Sequence, residues 1–299
     1  MAEDRSATTP HNDEPVRNGL ERWRADQPVG IAALGSPGDA GIGARLASDP
    51  SVTRWWIAHS ETMFVGPATK APFDTMVFFE TADPASALRL TGEICNRPEE
   101  RWTILAGRPA PARFRFFMDA SRAVLSRLPA PRAPQCDLHG FSSDKLGTVN
   151  PSLEQLRAFD EYSAQAPVLI LNLNHHIKQG THPDTGETMS GIDLANLYLK
   201  RGMRTFSRLG ARVLWAGGCK SVIRDDYGLG PCDQIGLIHY SRREDYEKLL
   251  RIGLAEGWDR FREAGFDNSW NVHCRITASS EPRDIAPVGP ATERPVRTR

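Results

Sequence analysis

Histidines near the ends of two predicted strands are the residues of this chain best suited to acid–base chemistry. His175 and His176 end the strand predicted for 168–176, and His273 lies in the strand predicted for 268–276. Near pH 7 an imidazole can donate or accept a proton, as enolisation, cyclisation or dehydration of a carbonyl compound requires. We predict His176 as a proton shuttle and His273 as its partner.

Polar side chains that can hold an oxygen atom share strand faces with these histidines. Because side chains alternate along a strand, the face that carries His176 also carries Asn172 and Asn174. Arg275 shares the face of His273 in the same way. A guanidinium can hold a carboxylate or a developing enolate, so we predict Arg275 as the third catalytic residue. The predicted substrate-binding residues are Asn172, Asn174, Tyr240 and His175.

The opposite faces of the same strands are apolar, and this contrast predicts where the polar faces point. Leu169, Leu171 and Leu173 form one apolar face. If helices cover the apolar faces, the polar faces point together into an enclosed pocket, and His176 lies within a few side-chain lengths of His273. The alternative is an ordinary two-sided sheet whose polar face meets solvent.

The remaining candidates for chemistry are weaker. The five cysteines are scattered, without a C-x-x-C pair, which favours free thiols. Cys219 becomes a nucleophile only if a cation such as Lys220 lowers its pKa. The pair Gly217-Gly218 predicts a bend or a close approach of two backbones, and Asp233 a hydrogen bond to backbone at the entry of a strand.

Metal binding is not predicted from the histidine spacing. The ligand set would have to combine the adjacent His175 and His176 with His182 and Glu187, but this spacing fits no zinc pattern. Adjacent residues on a strand also point to opposite faces. We therefore predict no metal and no cofactor, and leave a bound metal open as an alternative.

Composition excludes several classes of partner. The 299 residues contain 37 Lys and Arg and 37 Asp and Glu, so no global basic field attracts nucleic acid or an anionic membrane. The longest apolar runs are far shorter than the ~20 residues that span a bilayer, and the polar start resembles no signal peptide. These features predict a cytoplasmic protein with a small-molecule substrate as its partner.

Periodicity predicts the same order of elements twice, strand–helix–strand–strand–helix–strand. In the first half the predicted elements are 29–34, 41–47, 52–64, 74–80, 83–95 and 102–106. In the second half they are 168–176, 192–209, 212–217, 234–240, 244–264 and 268–276. A register check supports an internal repeat, because Trp56 precedes Asp74 by the same number of residues as Trp215 precedes Asp233.

The second half also carries a short series of motifs in a fixed order. These are Gly217-Gly218, then Asp233, then the apolar strand QIGLIHY, then Arg262-Glu263-Ala264-Gly265. With this series and the repeated element order, the chain resembles the dimeric α/β-barrel superfamily, whose modules are ferredoxin-like. The second half is similar to small uncharacterised members of that superfamily, and the first half matches more loosely.

The resemblance implies an α+β fold of two tandem ferredoxin-like βαββαβ modules, packed as an intramolecular dimeric α/β barrel. The expected divisions are a disordered arm (1–27), a first module (28–118), a linker with one helix (119–166), a second module (167–277) and a disordered tail (278–299). Such a chain is either a monomer with an internal pseudo-dimer or a homodimer.

The residues and the resemblance together suggest a function. We predict a cofactor-independent enzyme of the isomerase, cyclase or lyase type, acting on a small apolar carbonyl or polyketide-like metabolite. One alternative is a non-catalytic small-molecule binding protein. Another is a haem- or oxygen-dependent monooxygenase of the same fold, in which His273 would be the axial ligand of the haem.

Overall fold

Eight strands close into one antiparallel barrel. The computed structural model describes residues 23–36, 41–95, 100–136, 138, 141 and 143–280. The barrel strands are β1 (Val29–Gly35), β2 (Val52–Val65), β3 (Thr75–Thr81), β4 (Trp102–Pro109), β5 (Val168–His176), β8 (Arg212–Asp225), β9 (Gln234–Tyr240) and β10 (Phe266–Ser279). Their order around the barrel is β1-β3-β2-β10-β5-β9-β8-β4, and every neighbouring pair is antiparallel.

Helices surround the barrel. They are α1 (Ile42–Ser48), α2 (Pro84–Cys95), α3 (Ala112–Leu125), α4 (Leu153–Asp160), α5 (Gly191–Arg208), α6 (Arg243–Glu256) and α7 (Asp259–Gly265). The two-residue strands β6 (Gly180–Thr181) and β7 (Thr188–Met189) pair with each other outside it. Among the described residues, no helix is long and apolar enough to cross a membrane.

Local sequence explains how several of these helices begin and end. Ser152 caps α4, because its hydroxyl accepts the backbone N–H of Gln155 while the Gln155 side chain accepts the N–H of Ser152. The single helix predicted for 244–264 is divided into α6 and α7. Gly257 lies between them with φ 68°, a left-handed conformation that ends a helix and favours glycine.

The barrel interior is an apolar core. One cluster of buried side chains draws on all eight barrel strands and on the segments that close the barrel, and it includes Trp56, Phe78, Leu105, Leu171, Trp215 and Val272. Trp215 is completely buried in it. A Cβ atom on Gly30, Gly107 or Gly217 would lie within 3 Å of the Trp215 indole, so these three glycines leave the space that the ring fills. A Cβ atom on Gly217 would also lie within 3 Å of the backbone carbonyl oxygen of Arg108 on β4, which confirms the close backbone approach predicted there.

The prediction that the polar strand faces point into the barrel is wrong. Leu169, Leu171 and Leu173 belong to the interior cluster. The other face of β5, which carries Val168 and Ile170, packs instead against residues of the surrounding helices. The physical reason is that the barrel is closed. Because its interior is shielded from water on every side, the more apolar face of each strand points inward. Helices on the outside bring polar groups that can pair with a mixed face.

Both ends of the barrel are closed by segments outside the strands. At one end α3, which sequence patterning did not predict, places Arg115 against the buried carboxylate of Glu80 with an N–O distance of 3.3 Å. Glu80 also accepts the indole N–H of Trp215 at 3.0 Å. At the other end, Tyr227 packs on Phe73, with their ring centroids 6.3 Å apart.

Most of the predicted elements are present with small shifts of their ends. Val168–His176 and Gln234–Tyr240 have the predicted bounds, whereas β8 runs to Asp225, well beyond the predicted end at residue 217. Residues 1–22 of the predicted disordered arm and residues 281–299 of the predicted disordered tail lie outside the described residues.

Candidate functional site

A β-bulge on the outer face of the barrel creates the strongest candidate site. In the β2–β10 ladder, Thr62 lies opposite His273 and Ser60 lies opposite Cys274. Glu61 is therefore an extra residue without a cross-strand partner. A bulge of this kind re-aims side chains, and here the Glu61 carboxylate comes to the same region as His273 and Arg275.

Arg275 and Tyr162 hold the Glu61 carboxylate from two sides. Arg275 Nε donates to Glu61 Oε1 at 2.7 Å, and the Tyr162 hydroxyl donates to Glu61 Oε2 at 3.3 Å. Tyr162 lies just after α4, where its backbone N–H donates to the carbonyl of Phe159 at 3.3 Å. The site thus combines β2 and β10 with the segment after α4, and the carboxylate is oriented by hydrogen bonds from two different elements.

His273 is buried beneath two aromatic rings. Its imidazole is only 3% exposed, and the ring centroids of Tyr162 and Phe159 lie 4.6 Å and 5.4 Å from it in edge-on orientations. Its cross-strand neighbour Thr62 is also buried. Neither His273 Nδ1 nor Thr62 Oγ1 has a hydrogen-bond partner among the described residues. Buried polar atoms without partners on two cross-strand neighbours are costly unless a water or a ligand atom pairs with them.

Burial sets the charge state of the site. Desolvation lowers the pKa of His273 to about 4, and the nearby Glu61 carboxylate only partly opposes this shift. Burial, together with the negative charge of Glu61, raises the pKa of Tyr162 to about 12. At neutral pH the site therefore offers a neutral imidazole and a protonated phenol beside a carboxylate that is paired with Arg275.

His176 lies in a different place. His273 is opposite Ile170 in the β10–β5 ladder, whereas His176 is opposite Phe266 at the far end of β5. At about 3.3 Å per residue, the two imidazoles are separated by about 20 Å of strand. The predicted closeness of His176 and His273 is therefore wrong, because they lie on neighbouring strands but at distant register positions.

The surroundings of His176 are nonetheless specific. The imidazole stacks on Phe266 with ring centroids 5.2 Å apart, and its Nδ1 lies 4.0 Å from Asp233 Oδ2. The same Asp233 oxygen accepts the backbone N–H of His176 at 2.7 Å, which confirms the backbone hydrogen bond predicted for Asp233. Burial lowers the pKa of His176 despite the aspartate. His175 lies beside it at the same end of β5, opposite Asn268.

The predicted amide ligands pair with protein groups. Asn174 Oδ1 accepts a hydrogen bond from Ser269 Oγ at 2.5 Å, and its Nδ2 donates to Gln234 Oε1 at 3.2 Å. Asn172 Nδ2 lies 3.3 Å from the carbonyl oxygen of Ile170. Tyr240 is buried among the aromatic residues under the helices, with its ring centroid 5.0 Å from that of Tyr246. Of the three predicted catalytic residues, the structure brings together His273 and Arg275, whereas His176 lies apart from them beside His175.

The residues around His273 do not fit a haem group. An axial imidazole must face a space that admits the macrocycle. The imidazole of His273 is instead enclosed by the rings of Phe159 and Tyr162 at the distances given above, and Thr62 lies next to it on the neighbouring strand. The prediction of His273 as an axial ligand is therefore not supported by its surroundings.

Sequence patterning missed three members of the site: Glu61, Thr62 and Tyr162. One signal for the first two was present. The run His59-Ser60-Glu61-Thr62 is polar at four consecutive positions within an otherwise apolar strand, which breaks the alternation expected of a regular strand. Tyr162 gave no signal, because its contact with Glu61 joins residues far apart in the chain.

Comparisons with known proteins show that this chain is similar to several solved structures. No protein-family model matches this sequence, and the comparison with curated proteins found no match. A structural-genomics protein of unknown function from Rhodopseudomonas palustris is 20% identical and covers 43% of this chain and 95% of its own, with a TM-score of 0.37.

Two longer matches span most of the chain. A dye-decolorizing protein from V. cholerae is 10% identical over 84% of this chain and 94% of its own, with a TM-score of 0.40. A variant of the chlorite dismutase from Candidatus Nitrospira defluvii is 10% identical over 84% of this chain and 91% of its own, with a TM-score of 0.39. At these TM-scores the likenesses carry no conclusion about activity, and the predicted independence from a cofactor gains no support from them.

Proposed function

We propose that this chain is an enzyme that moves a proton on a small 1,3-dicarbonyl or polyketide-like compound at the site formed by Glu61, Thr62, Tyr162, His273 and Arg275. The observation that carries the proposal is that two cross-strand neighbours, His273 and Thr62, each have a buried polar atom, Nδ1 and Oγ1, without a partner among the described residues. A substrate carbonyl and the C–H bond next to it would supply both partners once the partly exposed Tyr162 ring, which covers the imidazole, moves aside.

The proposed reaction needs no net change of atoms. His273 Nδ1 accepts the proton from the carbon between the two carbonyl groups, and the C–H electron pair forms the C=C bond of an enolate. The Thr62 hydroxyl donates a hydrogen bond to the enolate oxygen. Return of the proton to oxygen or to another carbon gives the tautomer or isomer and restores the imidazole.

The low basicity of His273 limits the substrate class. An imidazole whose pKa is about 4 is a weak base, so it suits only a C–H bond acidified by two carbonyl groups. Glu61 stabilises the imidazolium formed during the reaction, and Tyr162 holds that carboxylate in place. Arg275 offsets the charge of Glu61 in the resting site.

Keto–enol tautomerisation of 2-acetylcyclohexanone, followed by ultraviolet absorbance in a stopped-flow instrument, tests this function. We expect the purified chain to accelerate ketonisation above an equal concentration of free imidazole. His273→Ala is expected to remove roughly a hundredfold of that acceleration, the usual size of a general-base effect. A wild-type rate equal to that of free imidazole with this compound and with ethyl acetoacetate would overturn the proposal.

Two control variants separate the sites. His175→Ala changes a half-buried imidazole that lies outside the proposed site and is expected to leave the rate unchanged. His176→Ala tests the proton shuttle predicted from the sequence. If His176→Ala abolishes the acceleration and His273→Ala does not, the chemistry belongs to the His176–Asp233 end of the barrel and our assignment is wrong.

The alternative function, non-catalytic binding of a small molecule, is supported by the same two buried atoms, because a bound molecule could form hydrogen bonds with them without reacting. In that case 2-acetylcyclohexanone would shift the melting temperature of the wild type but not of His273→Ala, with no acceleration in either. Oxygen-dependent monooxygenation stays a prediction, and oxygen consumption during the same incubations tests it.

We further propose that the two halves of the barrel are tandem ferredoxin-like modules. Strand order supports this, since β4-β1-β3-β2 in the first half and β10-β5-β9-β8 in the second half have the same arrangement when they are read in the same direction around the barrel. Trp56 lies opposite Phe78 and Trp215 lies opposite Leu237, at equivalent places in the repeat.

The oligomeric state, a monomer or a homodimer, also stays a proposal. Exposed apolar side chains on α3, including Phe116 and Phe117, support the homodimer. Sedimentation of the full chain at several concentrations measures the state directly.

A further inference from the structure

Two cysteines that are separated in the sequence meet at one end of the barrel. Cys219 lies in β8, and its backbone N–H donates to the carbonyl of Asp233 at 2.9 Å, just ahead of β9. This bond brings Cys232, which precedes Asp233, beside Cys219, and each thiol shifts the pKa of the other. The Cys219 thiol also donates to the carbonyl of Ser221 at 3.8 Å. Both side chains pack against the interior cluster of the barrel. The remaining described cysteines have carbonyl or apolar neighbours in the contacts that the structure records.

The loop between these cysteines is held in a defined shape. The Asp225 carboxylate accepts the backbone N–H groups of Leu229 and Gly230 at 2.9 Å and 2.8 Å. It also accepts the hydroxyl of Thr103 from the neighbouring strand at 2.7 Å. These bonds hold the first part of the loop that returns the chain from β8 to Cys232 and β9.

The two thiols differ in reactivity. The neighbouring Cys232 lowers the pKa of the Cys219 thiol, whereas the neighbouring Cys219 and burial raise the pKa of the Cys232 thiol. Cys219 thus has the greater thiolate character, while Cys232 keeps its proton. Cys232 is buried, whereas Cys219 is partly exposed and is the sulfur that a small oxidant reaches first.

We propose that Cys219 and Cys232 form a peroxide-sensitive dithiol that closes reversibly into a disulfide. The Cys219 thiolate attacks one oxygen of hydrogen peroxide, the O–O bond breaks, and a sulfenic acid and hydroxide result. The Cys232 thiol then attacks the Cys219 sulfur, and water leaves as the S–S bond forms. In sum, two thiols and one hydrogen peroxide give one disulfide and two waters.

This inference is independent of the proposed proton-transfer function. The dithiol lies beside Asp233, at the end of the barrel that also carries His176, and not at the bulge of Glu61. The disulfide would tie β8 to the segment entering β9 and lock the loop that includes Tyr227 and Leu229, both packed against the interior cluster. A peroxide-dependent change can therefore be present whether or not the chain processes a dicarbonyl compound.

Intact-mass measurement of the full, reduced chain after exposure to hydrogen peroxide tests the proposal. We expect the loss of two hydrogen atoms in mass, reversed by dithiothreitol, and a single cross-linked peptide pair that joins Cys219 to Cys232. Differential alkylation is expected to show Cys219 reacting about tenfold faster than Cys136, whose thiol donates to the Arg251 carbonyl at 3.1 Å.

Three serine variants sharpen the test. Cys219→Ser is expected to form no disulfide, and Cys232→Ser to stop at a sulfenic acid that dimedone labels on Cys219. Cys274→Ser is the matched control, because Cys274 is buried in the same cluster but lies on β10, which pairs with β2 and β5 and not with β8 or β9. It is expected to oxidise like the wild type.

Other outcomes would overturn the proposal. These are a disulfide that joins another cysteine pair, dimedone labelling of Cys232 before Cys219, or direct conversion of wild-type Cys219 to a sulfinic acid. The wild-type peptide map gives its result without any variant, so poor folding of a serine variant leaves the test intact.

Discussion

Two buried histidines make the stability of this protein depend on pH. His273 and His239 are both almost fully buried, and burial lowers the pKa of each to about 4. For His239, nearby Arg122 and Arg212 add to the effect of burial. An imidazole in the unfolded chain has its ordinary pKa near 6.5, so between these two values the unfolded state binds more protons than the folded state.

Stability should therefore fall as the pH falls below about 6.5. Each imidazole is neutral in both states at pH 7 and is protonated only in the unfolded state at pH 5. The free energy of unfolding is expected to drop by about 2 kcal/mol per imidazole over this range. Urea unfolding at pH 7, 6 and 5 measures the drop.

Glutamine variants provide the control for this pH dependence. His239→Gln and His273→Gln remove two titrating groups, so together they should reduce the slope between pH 7 and pH 5, while His176, whose pKa burial also lowers, keeps part of it. A difference in absolute stability between the variants and the wild type does not affect this test, because the quantity compared is the change of unfolding free energy with pH. An unchanged slope in the double variant would mean that other groups cause the pH dependence.

At the scale of elements, irregularities in the strands create both the core and the candidate site. The bulge at Glu61 directs a carboxylate toward His273 on the next strand. Glycines on three strands make the space for the Trp215 indole, whose N–H donates to the buried Glu80 at 3.0 Å. A regular strand with a side chain at every position would allow neither arrangement.

Gly107→Ala tests the fit around Trp215. The added Cβ would lie 2.8 Å from the indole, closer than real Cβ atoms approach their neighbours. Overpacking of this kind costs about 1–3 kcal/mol of unfolding free energy, which chemical denaturation measures.

Gly92→Ala is the matched control. Gly92 is exposed on α2, and its added Cβ meets nothing within 4 Å. Because alanine favours helix, this variant is expected to gain roughly 0.5–1 kcal/mol. Equal destabilisation by both substitutions would show that the space around Trp215 is not limiting.

At the scale of the whole molecule, each half of the barrel covers the sheet of the other. The ladders β2–β10 and β4–β8 join residues 29–109 to residues 168–279, and the apolar inner faces of both halves form one cluster. Either half alone would leave its apolar face uncovered. Two stacked sheets cover each other's apolar faces in the same way.

Splitting the chain within the irregular segment 129–135 tests this dependence. We expect the two fragments to form a 1:1 complex when they are expressed together, and each fragment alone to self-associate. Light scattering after size-exclusion chromatography measures the stoichiometry, and circular dichroism measures the folding. A fragment that is monomeric and unfolds cooperatively by itself would contradict the expectation.

The sequence by itself determined the type, order and approximate bounds of most elements. Short-range alternation and turn residues suffice for this, which is why Val168–His176 and Gln234–Tyr240 were predicted with their observed bounds. The helix α3 was not predicted: of its residues only Met118 is buried, and its contact between Arg115 and Glu80 joins distant parts of the chain.

Only the tertiary structure decided which strand faces are inside and which residues meet. Alternation shows that Leu169, Leu171 and Leu173 share a face, but not whether that face is inside the barrel. Closure of eight strands made the interior dry on all sides and placed His273 outside it. The bulge at Glu61 and the contact of Cys219 with Cys232 depend on pairings between separate strands, which no local pattern in the chain encodes.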